Sequence, residues 1–268
     1  MFRIFRRIRE QILLGNVARR YLGYAVGELI LVVLGILIAL QINNWNEERI
    51  EQRQIAEYAH ALIKDLQRDL DMAQIIRIEI DLLISKIDAL AAYMEDRSFE
   101  EVRNIDLFYL MRAPFYRPYA WNRNALEQIK SSGSLRQMTN RQLAEKISAY
   151  EAFTYHLEGD FDFDRAVGTK SVELAGTVID MNYSGVFHYF PVDQLESFSF
   201  PDSPIHEVYK ETNLSLLTDD MKDIKVAANS YLVLGSYYGI RPRAEVEIPK
   251  LVAEAQELIA LLKEEYPE

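Results

Sequence analysis

Residues 21 to 42 read YLGYAVGELILVVLGILIALQI, an apolar run with a single charge, Glu28. At about 1.5 Å per residue, a helix of this run reaches about 33 Å, enough to cross the hydrocarbon core of a bilayer. The run predicts a transmembrane helix over residues 21–43. What remains is which way the helix points and what it carries on the far side.

The flanks answer the first question. Arg3, Arg6, Arg7, Arg9, Arg19 and Arg20 precede the run against one acid, Glu10, whereas Glu47, Glu48 and Glu51 follow it against Arg49 and Arg53. Excess arginine marks the cytoplasmic side. Residues 1–20 are therefore expected to form a cytoplasmic basic arm, and residues 44–268 to lie in the periplasm of a single-pass inner-membrane protein. Arg6, Arg7, Arg19 and Arg20 are placed at the inner interface and Trp45 at the outer one, where indole rings settle. A cleaved signal peptide is the weaker reading, because the run is too long and no small-x-small cleavage site follows it.

The chain has no cysteine, which excludes disulfides, thiolate metal sites and cysteine nucleophiles. Its net charge of −11 argues against nucleic acid, which needs a basic face.

Beyond the run the pattern is helical. Residues 48 to 95 contain neither Pro nor Gly. Ile55, Ala59, Leu62, Leu66, Leu70, Ala73, Ile76, Ile80, Leu83, Ile87, Leu90 and Met94 recur at steps of three and four, as on one helix face. Without a breaker between run and stripe, a transmembrane helix continuing into a stalk is expected. Short helices are expected over 105–111 and 122–130, the second closed by Gly133. Thr139 and Gln142 read as a capping box opening a helix to about Leu157. After Gly159 a further helical stretch extends towards Met181, and two more lie near 216–239 and 247–265, the last with Pro249 in its first turn. Residues 182–205 read as a loop packed by its aromatics. The strict alternation DFDFD at 160–164 is the one strand signal, and a short one. The expected fold is all-α: one N-terminal transmembrane helix running into a stalk helix and an antiparallel helical bundle.

Candidate chemistry is sparse. Asp160, Asp162 and Asp164 have the spacing that opens a calcium loop, but Arg165 stands where that loop needs Gly, and Ser171 where it needs Glu. His60, His156, His188 and His206 read as unpaired surface or packing residues. No phosphate loop, nucleophile elbow or H-E-x-x-H motif occurs. No enzyme, catalytic residue, cofactor or metal is expected.

The apolar run carries the more specific features. An acid inside it must face protein, water or an opposite charge. At 100° per residue, Gly35 and Ala39 fall within about 20° of Glu28, while Gly23 and Gly27 form a G-x-x-x-G step on another face. Small faces of this kind let helices approach closely, so Gly23, Gly27, Glu28, Gly35 and Ala39 are the expected association residues.

The block GELILVVLGILIALQINNWNEER, preceded by FRRIR and YLGYAVG, resembles the N-terminal signature of an uncharacterised family of bacterial single-span membrane proteins, known as a domain of unknown function. NALEQIKSSGSLRQMTNRQLAEKISAYE at 124–151 is similar to that family's short helix, Gly turn and second helix. The resemblance implies an inner-membrane protein with an exported helical domain, and it implies no activity.

The expectation is thus a membrane-anchored structural or interaction protein of the cell envelope. Its partners are the lipid bilayer, further copies of itself and an envelope protein. Two other readings compete. One is a periplasmic ligand sensor with the aromatics of 182–205 lining a pocket. Such a sensor would work through a partner, because about twenty cytoplasmic residues are too few for an output domain. The other is an ion-conducting oligomer lined by Glu28, Gln41 and Asn43.

Overall fold

In the computed structural model, residues 16–112, 114–182, 214–236 and 239–267 are described. The expected aromatic loop at 182–205 lies outside them apart from Asn182, as do Arg6 and Arg7; of Arg19 only the helical backbone is described. The architecture is all-α, with no strand among the described residues.

Helix α1 spans Asn16–Met94, unbroken through the apolar run and the predicted stalk. It stops where Asp96 takes a positive φ of 58°, a conformation that Asp tolerates better than most residues. A 3-10 turn, Phe99–Glu101, follows, then α2 (Asn104–Met111), α3 (Asn124–Ser131), α4 (Ser134–Gln137) and α5 (Arg141–Val178). The chain ends with α6 (Met221–Leu234), α7 (Ile240–Pro242), a π turn over Arg243–Glu247, and α8 (Ile248–Glu265).

The chain divides into two compact units, Met1–Glu57 and Tyr58–Glu268. In the first unit every described side chain from Arg20 to Gln54 is exposed. This includes the Leu, Ile and Val residues of the apolar run, at 46 to 73% exposure.

In the second unit the predicted stripe of α1 is the core face. Ala59, Leu62, Leu66, Ala73, Ile76, Ile80, Leu83, Ile87 and Leu90 are buried. Leu70 and Met94 lie half-buried beside it, and Asp69 and Tyr93 take the core positions instead. Helix α8 runs antiparallel to this part of α1, as Asp88 pairs with Arg241, Arg77 bonds the Ala244 carbonyl, and His60 lies 2.9 Å from the Tyr266 carbonyl. It also runs antiparallel to α5, with Lys146 2.8 Å from Glu257 and His156 3.9 Å from Glu247.

Gly133 closes α3 as expected, with φ 78° in the left-handed region that Gly enters at no steric cost. The start of α5 differs from expectation by one residue: Asn140, not Thr139, is the N-cap, and its side chain accepts from Leu143 N at 3.1 Å. The larger correction concerns DFDFD. It is not a strand, and Gly159 does not interrupt the helix, because both lie inside α5. A single exposed Gly costs a helix only about 1 kcal/mol, and thirty-eight residues packed against α6 and α8 outweigh that. The alternation in 160–164 is therefore incidental: Asp164 is buried and Phe163 is exposed.

Candidate functional site

The side chains of the apolar run are exposed among the described residues. At Gly23, Gly27 and Gly35, no described atom beyond the neighbouring turns of the helix itself lies within 4 Å of where a Cβ would sit. Glu28 and Ala39 are exposed, and Trp45 is 62% exposed. Asn43 donates to Glu47 at 2.8 Å along the same helix. By length and composition, this helix can cross a membrane.

In the second unit, polar groups buried against expectation form two clusters. The first joins α1 to α3 and α5. Asp65 and Asp69 sit one turn apart beside the apolar stripe, both buried. The N-cap of helix α3 is Arg123, which offers no capping side chain, so the first-turn N–H groups need a partner from elsewhere. Asp65 supplies it, accepting from Ala125 N at 3.0 Å. Asp69 accepts from Asn122 N at 2.8 Å and from Tyr150 Oη at 2.9 Å. Burial raises the Asp69 pKa, and the Asn122 and Tyr150 bonds pull it back. The adjoining cavity, lined by Trp121, Arg123 and Thr154 among others, is about 10 Å³, room for about one water.

The second cluster is richer in charge. His156, Asp160 and Asp164 lie at steps of four along α5 and so share one face. The π turn brings Arg243 and Glu247 against them. Its cause is readable: Pro249 cannot donate to the carbonyl four residues back and clashes with it in a regular helix. The wider turn, in which Ile248 N–H donates to the Arg243 carbonyl, carries the helical path past that point.

Arg243 is 8% exposed and meets three carboxylates. Its Nη1 donates to Glu247 Oε1 at 2.9 Å and its Nε to Asp164 Oδ2 at 3.2 Å, while Nη2 lies 3.4 Å from Asp160 Oδ1. Tyr116, on the segment between α2 and α3, donates to Asp164 Oδ2 at 2.9 Å. Its ring meets Phe161 edge-on at 5.2 Å, which fixes the hydroxyl over α5. His156 Nε2 lies 3.2 Å from Asp160 Oδ2 at the exposed rim.

Burial raises the pKa of Asp164 and of Glu247, and the Arg243 charge opposes the rise in both. Burial also works against the Arg243 charge, but Asp164, Glu247 and Asp160 more than compensate. One oxygen of each carboxylate, Asp160 Oδ2, Asp164 Oδ1 and Glu247 Oε2, is buried without a hydrogen-bond donor.

The reading of the histidines as unpaired misses this geometry, because Asp160 stands four residues after His156 on the same face. That spacing was the available signal. Arg243 and Glu247 had none, since they arrive from about eighty residues away.

The fold thus defines an all-α domain carried on a chain whose N-terminal helix is apolar and long enough to span a membrane. The model of the family of unknown function DUF6090 matches residues 28–171, more than half of the chain, and the protein belongs to that family. The match includes the blocks around INNWNE and at 124–151, together with His156, Asp160 and Asp164, and stops short of the π turn. No curated protein and no solved structure matches the chain.

Proposed function

We propose that the chain is a membrane-anchored structural or interaction protein of the cell envelope, not an enzyme. Residues 21–43 cross the cytoplasmic membrane, the basic arm stays in the cytoplasm, and the helical domain lies in the periplasm. There it self-associates or docks a partner.

The observation that carries this reading is the apolar surface of α1 between Tyr21 and Ile42, which no described residue covers. Thirteen Leu, Ile and Val side chains lie in that stretch. At about 0.3 to 0.6 kcal/mol each, they favour insertion by about 4 to 8 kcal/mol, against a cost of at most about 3 for Glu28. In water, an apolar face of this extent is an aggregation surface. The arginine imbalance sets the orientation. The open positions at Gly23, Gly27 and Gly35 leave room for a second helix at close approach.

The test of self-association is the mass of the full-length protein in mild detergent, measured by light scattering. The wild type is expected as an oligomer. Gly35→Leu is expected to reduce its mass, because a large side chain blocks close contact. Glu28→Leu, which removes a hydrogen-bonding group worth only about 0.6 kcal/mol on average in membranes, is expected to do less. A monomeric wild type refutes self-association through the span.

A further inference from the structure

We propose that His156, Asp160 and Glu247 bind a divalent transition-metal cation, with Arg243 holding the two carboxylates in place. The three side chains come from two elements, α5 and the π turn, and each offers one ligand atom, all within 4.8 Å of one another. Ligand atoms on a tetrahedral zinc are about 3.4 Å apart, given metal–ligand distances of about 2.0 to 2.2 Å. His156 is exposed, so rotation of its ring closes the difference, while Glu247 Oε1, 3.9 Å from His156 Nε2, stays shared with Arg243.

Charge and hydrogen bonding both point to a cation rather than to a closed salt bridge. Three carboxylates face one guanidinium, so with His156 neutral the cluster carries two negative charges in excess when all three acids are ionised. Arg243 takes one oxygen from each acid and leaves the other without a donor. A buried acceptor in this state is costly, and a cation between His156 and Asp160 satisfies Asp160 Oδ2. The free oxygen of Asp160 is the one that faces His156 Nε2, so a metal can bind both without displacing Arg243.

The donor set selects the class of ion. Calcium and magnesium prefer all-oxygen sites, whereas an imidazole with two carboxylates suits zinc and its neighbours. The approach is open. His156 is 56% exposed, and a surface groove of about 340 Å³ lined by Arg241, Pro242, Glu245 and Val246 leads to Glu247. Three protein ligands leave a coordination position free for water or for a donor from outside.

The test uses the full-length protein in detergent, purified without a histidine tag and stripped with chelator. It is titrated with zinc by calorimetry and with cobalt(II) by visible absorption. One equivalent of zinc per chain is expected, together with a cobalt band of a nitrogen- and oxygen-ligated ion. His156→Gln and Glu247→Gln are expected to weaken zinc binding by more than about tenfold, since loss of even an outer-shell partner costs about 10- to 100-fold. His60→Gln, remote from the cluster, is expected to bind as the wild type does. Far-UV circular dichroism verifies that each variant is folded, and exposed His156 tolerates exchange without disturbing the core. Absence of a one-equivalent zinc transition in the wild type overturns the proposal. So does unchanged binding by folded His156→Gln, or equal loss in His60→Gln.

Discussion

Helix α5 contains three glycines, Gly159, Gly168 and Gly176, that look alike in sequence and differ in surroundings. A Cβ at Gly159 or Gly176 meets nothing within 4 Å, and both positions are exposed. A Cβ at Gly168 comes to 2.7 Å from the Pro114 carbonyl oxygen and 2.9 Å from Phe115 Cε1. Exchange for Ala at an open helical site gains about 0.5 to 1 kcal/mol by restricting the unfolded chain. Gly159→Ala and Gly176→Ala should each gain that amount, raising the melting temperature by about 1 to 4 °C for a domain of this size. At Gly168 the same gain is opposed by overpacking, about 1 to 3 kcal/mol. Phe115 is 44% exposed and can swing aside, but the Pro114 oxygen belongs to the backbone and moves only with the segment. Gly168→Ala should therefore range from no change to a loss of about 2.5 kcal/mol, lying about 1 to 3 kcal/mol below the other two. Thermal and urea melts of the full-length variants in one detergent, followed by far-UV circular dichroism, make the comparison. If Gly168→Ala stabilises as much as its two companions, Pro114 does not rest against α5. The placement of Tyr116 over Asp164 then fails with it.

Three further outcomes follow from the buried charges. Asp65→Ala removes the acceptor for Ala125 N and leaves a buried N–H unpaired; urea melts should show a loss of about 1 to 3 kcal/mol. Arg243→Met leaves three carboxylates facing one another, and loss of one partner from a buried ionic cluster costs about 3 to 5 kcal/mol; a folded variant as stable as the wild type contradicts the cluster. Burial and the neighbouring Arg112 push the Lys86 amine down to about 8, below its unfolded value of about 10.4. Between those values the unfolded chain binds more protons, so stability should rise with pH from about 8 to 9.5; Lys86→Met should flatten that rise, as read from urea midpoints.

What the sequence disclosed follows the range of each signal. The core face of α1 was legible because burial in a helix repeats every three to four residues, and Ala59 through Leu90 obey that spacing. Gly133 was legible because only a residue free to take positive φ ends a helix in that way. Helix α5 was misread because Gly159 resembles a break and Asp160 to Asp164 alternate by chance, while the packing that overrides both comes from α6 and α8. The charged clusters were hidden for a related reason. On α5 alone, Asp160 and Asp164 look like a solvated face, and only Arg243, arriving with the π turn, makes them an interior. Asp69 gave a weak cue, since it stands on the core stripe where Leu70 was expected.

The central claim is that the apolar stretch of α1 lies in lipid and the second unit on the far side. The absence of cysteine makes it directly measurable. Single cysteines are introduced at Ile36, within the run, and at Glu173, exposed on α5, and probed with a membrane-impermeant maleimide in cells with a permeabilised outer membrane. The account predicts that Glu173→Cys labels at once, and that Ile36→Cys stays unlabelled until the membrane is dissolved under denaturing conditions. Labelling of Ile36→Cys as fast as Glu173→Cys, or protection of Glu173→Cys until the inner membrane is opened, contradicts it.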